Sequence, residues 1–367
     1  MNYLYFGFFV NFFILLPEIN SIMINERNLL IKSLYFEFCP TALTIFETDE
    51  FPKNILKPIE TNVTNISEIK CLTIKNKQIK SIVNSAFDNI PNLTLLNLQN
   101  NELIERNINF ASQLKQLKIL ILENAYKKDE NNNEFIANIS SPKLEVLLLG
   151  NNSIDKFQLT NGETLKVLNL DNNNLTEIPT MKNGENLKFL SINYNKIETV
   201  KMENFPNLFN LKTLSLSFNK IKNLNFNCFN NIINLKNLHL QGNNLKTIFY
   251  SSFRLLTQLE YLNLANNEIT QFDGEIIENN QYLKTINLNN NKLEAFPKVK
   301  NVSNLENLKL MDNNIKTLNQ NDLQAFSKLK NLYLQCNNIT NVTNNTFSNF
   351  KNLRLHYLHG NNTFCQN

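Results

Sequence analysis

The sequence is poor in the residues from which most reactive sites are built. Only seven Gly occur in 367 residues, and no G-x-x-x-x-G-K loop is present to cradle a phosphate. The three His are His239, His356 and His359, and no Cys or carboxylate pair near the last two completes a metal set. Neither a metal site nor a cofactor is therefore expected. G-x-S-x-G, H-E-x-x-H and C-x-x-C are all missing, and the carboxylates are scattered, so the chain does not read as an enzyme. Five Cys are too few for a miniature fold built on disulfides. A net charge of +4, from 36 Lys and Arg against 32 Asp and Glu, is too mild to single out nucleic acid as a partner.

Long apolar runs are scarce as well. The one at the N-terminus spans Leu4 to Leu16, broken only by Gly7 and Asn11. It is short for a membrane span and fits the apolar region of a secretory signal peptide. Residues 1–21 are expected to be that peptide, cleaved after Ser21; a retained anchor or a buried first element are the alternatives. No other segment approaches eighteen apolar residues. The mature chain is thus expected to be soluble, secreted and without a direct transmembrane anchor.

Asparagine is what the chain has in excess, with 73 copies, and their placement is periodic. The stretch LKTLSLSFNKIKNLNFNCFNNIIN, from Leu211 to Asn234, is followed by two more segments of the same pattern. Aligning on it recovers L-x-x-L-x-L-x-x-N-x-L thirteen times, starting at Ile69, Leu93, Leu117, Leu144, Leu165, Leu187, Leu211, Leu235, Leu259, Leu283, Leu305, Leu329 and Leu353. This is the leucine-rich repeat. In Leu214-Ser215-Leu216 the alternation is that of a short strand with Leu inward. One such strand cannot bury its apolar side alone, so the copies must stack. The predicted fold is α/β: a right-handed, horseshoe-shaped solenoid of about 13 repeats with a concave parallel β-sheet. The ninth position is Asn in most repeats, where its amide can satisfy main-chain groups at the turn out of the strand. Lys77 and Ala125 break that column. Phe87, Phe135, Phe229, Phe253 and Phe347 form an outer apolar column, and Cys228 beside it reads as a small buried thiol.

These 24-residue units resemble those of the extracellular leucine-rich-repeat proteins: Toll-like receptor ectodomains, small leucine-rich proteoglycans, axon-guidance proteins and secreted insect immune proteins. The resemblance runs from about Ile69 to Cys365 and is specific for the fold, less so for function. It implies an N-terminal cap over residues 22–68 closed by a Cys39–Cys71 disulfide, repeats over 69–352, and a last repeat with an abbreviated C-terminal cap over 353–367. In LHGNNTFCQN, Cys365 matches the first Cys of the family's C-terminal cap. It can pair with Cys336, pair with another chain, or stay free. Eleven N-x-S/T sequons, at Asn62, Asn65, Asn92, Asn138, Asn151, Asn174, Asn301, Asn338, Asn341, Asn344 and Asn361, are compatible with a secreted glycoprotein. So Asn-rich a chain gives nearly as many by chance.

Without a catalytic constellation, function is expected to reside in a surface, and the concave strand face is the first candidate. Its N-terminal third is aliphatic, with Leu95, Ile119, Ile121, Val146, Leu148, Val167 and Phe189 expected to point to solvent as a contiguous apolar patch. The rest is polar with spaced Tyr261 and Tyr333, and His239 lies outward among them. His356 is expected to replace a core Leu. A Lys column, Lys118, Lys166, Lys188, Lys212, Lys236, Lys284 and Lys330, flanks the strands and is interrupted by Glu145, Glu260 and Glu306. It is either a solubilising edge or a means of steering an acidic partner. The sequence thus predicts a secreted binding module for a protein or glycan ligand, in innate immunity or cell-surface signalling, with homo- or heterodimers compatible. A structural or adhesive matrix protein and an intracellular scaffold are the alternatives.

Overall fold

The computed structural model describes residues 43–44, 55–56, 69–128, 133–181, 183–300, 302–342, 346–348, 350 and 353–356. The alternation in L-x-x-L-x-L lasts for only three residues before the Asn turn, and each repeat accordingly contributes a strand of three. Thirteen of these, from Cys71–Thr73 to Arg354–His356, lie parallel and in chain order. A further strand, Leu43–Thr44, pairs ahead of them and makes the sheet fourteen-stranded. The expected thirteen repeats are therefore present, and the extra strand falls in the segment assigned to the cap.

The register puts like on like. Leu72 lies opposite Leu96, Leu96 opposite Leu120, and Leu214 opposite Leu238. These central leucines are fully buried and belong to one continuous core that runs the length of the solenoid. The last repeat is shifted by one residue from its expected phase. Leu355 pairs with Leu332 and takes the inward row, while His356 pairs with Tyr333 and faces outward. The expectation that His356 replaces a core leucine is thus corrected. The shifted register lets the His356 ring stack on Tyr333, while Leu355 in the inward row is 39% exposed at this last strand.

At the turn, the Asn column does what its amide allows. Asn219 donates through Nδ2 to the carbonyls of Ile192 (2.9 Å) and Leu216 (3.1 Å), and its Oδ1 accepts from the Ile197 amide (3.1 Å). Asn243, Asn267 and Asn291 repeat the arrangement. Where Ala125 interrupts the column, its own carbonyl accepts the Leu103 amide at 2.9 Å, so main chain replaces the missing side chain. One position earlier the backbone is left-handed in repeat after repeat, at Asn76, Asn100, Asn124, Asn151, Asn172, Asn266 and Asn290 among others. Asparagine tolerates that conformation better than most residues. Two turn requirements thus account for much of the asparagine.

On the opposite side of the core the arms are short. Among the described residues the helices are single turns, α-helical at Phe110–Gln113 and Gln320–Leu323 and 3-10 at Met202–Asn204 and Glu275–Ile277. The sheet therefore dominates the α/β architecture. Phe87, Phe135, Phe229 and Phe253 are buried as expected, and Phe205, not foreseen in that column, joins them. The rings of Phe229 and Phe253 stack at 6.2 Å. Cys228 is a free, buried thiol, whereas Cys71 and Cys336 are disulfide-bonded. Cys39 and Cys365 lie outside the described residues.

Candidate binding face

Each strand has one inward side chain between two that point away from the core. The seven apolar residues assigned to an exposed patch do lie side by side there: Leu95 opposite Ile119, Ile119 opposite Val146, Val146 opposite Val167, and Val167 opposite Phe189. Their exposure is corrected. Leu95, Ile119, Val146, Leu148, Val167 and Phe189 are buried with Cys71 in a cluster separate from the main core, and Ile121 packs against it half-buried. Side chains on strands about 4.8 Å apart cover one another's flanks, and removing apolar area from water favours a closed cluster over a bare patch. Lysine at Val146 would therefore bury a charge and destabilise the fold.

Beyond Phe189 the same face turns polar and becomes a hydrogen-bonded chain. Asp171 Oδ1 accepts from the Ser191 hydroxyl and the Asn193 amide, both at 2.7 Å. Asn193 Oδ1 in turn accepts from the Ser215 hydroxyl (2.5 Å) and the Ser217 amide (2.8 Å). The pattern resumes further on, where Asn263 and Asn287 each hold the amide two residues ahead at 3.1 Å. Between these stretches it fails. Both ring nitrogens of His239, Gln241 Oε1 and Asn263 Nδ2 are buried without a partner. His239 lies opposite Ser215 on one side and Asn263 on the other. Its ring contacts Tyr261 at 5.1 Å between centroids, and burial pushes its pKa down to about 3.

Along the rim, the left-handed column holds two aromatics where its neighbours hold Asn. Tyr194 and Phe218 both have positive φ, at 52° and 54°, and their rings stack at 4.5 Å. Gly242 follows in the column at φ 69°, and a Cβ there would overlap the Phe218 ring. Bulky residues are rare in this region of backbone space and mark stored strain. Tyr194 is partly exposed, and its hydroxyl pKa is raised by burial and, secondarily, by Asp171. At the far end, Tyr333 stacks on His356 at 4.2 Å and lies under the Lys309 ammonium at 5.5 Å. Tyr261 and Tyr333 are thus ring partners of the two histidines on the face.

Five of the seven lysines in the column are paired with its three glutamates. Glu145 bridges Lys118 (3.4 Å) and Lys166 (2.5 Å), and Glu260 bridges Lys236 (2.7 Å) and Lys284 (2.6 Å). Glu306 pairs with Lys330 at 2.9 Å. Hydrogen bonds from Lys236 and Lys284 hold the Glu260 carboxyl below the usual range. The glutamates that seemed to interrupt the column are its counter-charges, so it cannot act as a continuous positive rail. Among the sequons, Asn92, Asn138, Asn151 and Asn338 are exposed and Asn174 is half-buried. Asn62, Asn65, Asn301, Asn344 and Asn361, with the side chain of Asn341, lie outside the described residues.

Sequence reasoning placed His239 on this face but did not foresee its lack of partners, which depends on what the two flanking strands offer. The aromatic pair carried a readable signal, two breaks in the eighth-position Asn column. Among the described residues no group of three or more His, Cys, Asp or Glu could hold a metal ion, and no helix is long and apolar enough to cross a membrane.

The leucine-rich-repeat family model matches residues 163–221, 185–245 and 209–269, and a model of BspA-type leucine-rich-repeat regions matches 292–367. No curated protein sequence matches the chain. Among solved structures, an internalin from Listeria monocytogenes is 19% identical with a TM-score of 0.59, over 81% of this chain and 88% of that one. The plant peptide hormone receptor RGFR1, in complex with RGF2, is 20% identical with a TM-score of 0.59, over 87% of this chain and 51% of that one. Toll from Drosophila, in complex with Spatzle, is 16% identical with a TM-score of 0.58, over 79% of this chain and 41% of that one. These likenesses are of fold. With thirteen copies of the motif stacked in register as parallel strands, the chain is a leucine-rich-repeat protein whose fold is similar to that of the Toll ectodomain.

Proposed function

We propose that the protein is a secreted recognition module that binds a protein ligand across its strand face, between Leu95 and Tyr333. The observation that carries this reading is the division of that face into a contiguous apolar cluster and a polar row, neither of which the main core uses. A protein ligand fits the apolar and aromatic side chains that remain accessible there, half-buried Ile121, Tyr261 and Tyr333 and exposed Tyr194, better than a glycan or a nucleic acid does. The Lys column supports the same choice, since Glu145, Glu260 and Glu306 interrupt it with counter-charges where a phosphate backbone would meet a continuous positive row. The neighbours solved with a peptide hormone and with Spatzle support a protein ligand by analogy of fold. Secretion rests on the apolar run Leu4–Leu16, read as part of a signal peptide over residues 1–21. The proposed organisation is completed by a Cys39–Cys71 link in the N-terminal cap and by glycans on the exposed sequons.

Expression of the full chain in animal cells tests both parts. The medium should contain a glycosidase-sensitive protein beginning near Ile22. Proteins captured on it should be lost when Ile121→Lys and Tyr261→Ala are introduced together, with circular dichroism unchanged. Recovery from cytosol alone, without a shift on glycosidase treatment, would overturn secretion. Undiminished capture by the folded variant would overturn the strand face as the site.

A further inference from the structure

The outer arms of the middle repeats carry an apolar surface that neither the core nor the strand face uses. Eight of the thirteen large apolar side chains exposed among the described residues lie between Met202 and Tyr282. They recur at fixed places in the arm. Met202, Phe226 and Tyr250 are 24 residues apart, and each stands three residues before a buried ring, Phe205, Phe229 and Phe253. Those rings lie 6.0 and 6.2 Å apart between centroids, which sets the step from one arm to the next. Pairing of Thr199 with Asn223 and of Val200 with Leu224 fixes the register just before Met202 and Phe226. Phe249 stands beside Tyr250. Phe209 and Ile233 are exposed at the far ends of their arms, where the Asn234 side chain donates to the Phe209 carbonyl at 2.8 Å. These six side chains, 40–62% exposed, leave on the order of 600 Å² of apolar surface open, the upper end of what a monomer usually shows. No N-x-S/T sequon lies between Asn174 and Asn301, so no N-linked glycan starts on this surface.

We propose that this surface pairs with the same surface of a second copy of the chain, related by a two-fold axis over the arm at 225–234. A two-fold interface must complement itself, and the charges here do. The central arm, 225–234, holds no charged residue. The arm before it carries Glu203 and the arm after it Arg254. Both are exposed, and neither side chain has an ion-pair or hydrogen-bond partner among the described residues. Each follows the column Met202, Phe226 and Tyr250 in its own arm, whereas Lys201 precedes it. Rotation about the central arm exchanges the arms on either side. It sets Arg254 of each copy over Glu203 of the other, and Phe226 at the start of one arm over Ile233 at the end of the other. A partner with a surface of one charge would leave Arg254 or Glu203 facing its like, which a second copy does not. With the polar side chains between the apolar ones, the surface comes near the roughly 800 Å² per partner of a standard interface. This pairing is independent of what the strand face binds.

Sedimentation equilibrium of the purified full chain, from about 0.1 to about 50 μM, is the test, a range suited to an interface of this size. The wild type should pass from monomer to dimer and stop there, because a two-fold interface closes on itself. Phe226→Gln should weaken the dimer about thirtyfold, the loss expected for an interface anchor. Tyr250→Gln carries the same expectation and decides the matter if Phe226→Gln does not fold. Arg254→Glu and Glu203→Lys should each weaken the dimer about tenfold, since like charges then face each other twice. Mixed in equal amounts, these two variants should dimerise with each other at the wild-type affinity, because every charge again meets its opposite. Melting temperatures recorded for each variant separate these effects from unfolding. Ile121→Lys with Tyr261→Ala, on the strand face, should leave the dimer unchanged, so that the two readings fail separately. A wild type that stays monomeric throughout that range overturns the proposal, as does a dimer indifferent to both Gln variants. Association beyond the dimer, or a mixture that does not recover, overturns the two-fold arrangement. A monomer whose capture of another protein is lost in Phe226→Gln would replace the second copy with that partner.

Discussion

The Asn219 side chain of one turn holds the Ile197 amide of the turn before it, Oδ1 to N at 3.1 Å, while its own Nδ2 spans the Ile192 and Leu216 carbonyls. A single buried amide thus closes main-chain groups on two successive turns. Asn219→Ala would leave one N–H without its acceptor and remove a donor from two buried carbonyls. We expect a loss of about 2–4 kcal/mol in urea unfolding. Asn161→Ala serves as the control, since its backbone is not left-handed and its Nδ2 reaches the exposed Ser140 side chain. A comparable loss at both positions would show that the ladder is not the cause.

Gly242 follows Tyr194 and Phe218 in the left-handed column and lies against the Phe218 ring. Gly242→Ala meets two obstacles, a positive φ of 69° and overlap of the new Cβ with that ring. Destabilisation of about 1–3 kcal/mol is expected. Phe218→Asn places in the column the residue most of its neighbours carry, so Gly242→Ala in that background should cost only the backbone share. An unchanged penalty in the double variant would show that the aromatic contact contributes nothing.

The repeat was legible because it depends on local chemistry: strand alternation, the Asn turn and the outer Phe recur at fixed offsets. Phase shifts were harder to see. The last repeat begins with Leu353-Arg354-Leu355-His356, where two leucines compete for the inward row, and only pairing with Leu332 selects Leu355. The strand face was legible as a list of residues, not as an environment. Alternation tells that Val146 points away from the core, but its burial depends on neighbours in other repeats. The Lys column misled for the same reason, because Glu145 and Glu260 look like gaps in sequence and are ion-pair partners in space.

Cys228 offers a check on the outer column. It is a free, fully buried thiol, and burial pushes its pKa up to about 12. At pH 8 the thiolate fraction is then negligible, and access is closed as well. Iodoacetamide should leave Cys228 unmodified in the folded protein and label it fully in guanidinium, as read by peptide mass spectrometry. Rapid labelling of the native protein would remove Cys228 from the core.

His239 gives the strand face a dependence on acid that the surface charges do not share. Burial moves its pKa from 6.5 to about 3, and Tyr261 is the titratable side chain on the strand-face positions of the two flanking strands. The unfolded chain takes up this proton near pH 6.5, whereas the folded chain resists it until about pH 3. The unfolded state therefore binds more protons across that window. The contribution of the neutral imidazole is fully present above pH 6.5 and is lost progressively as the pH falls towards 3, by a few kcal/mol in all. Urea unfolding of the wild type at pH 7.5 and pH 5 should show part of this loss, about 2 kcal/mol at 1.36 kcal/mol per pH unit. His239→Leu has no proton to take up, so its stability should change less between the two values by that amount. Exposed ion pairs such as Glu260 with Lys284 keep their charges over this range and should contribute equally to both proteins. An equal loss in wild type and variant would show that the imidazole is solvated in the folded protein, and the unpaired nitrogens would then have water for partners.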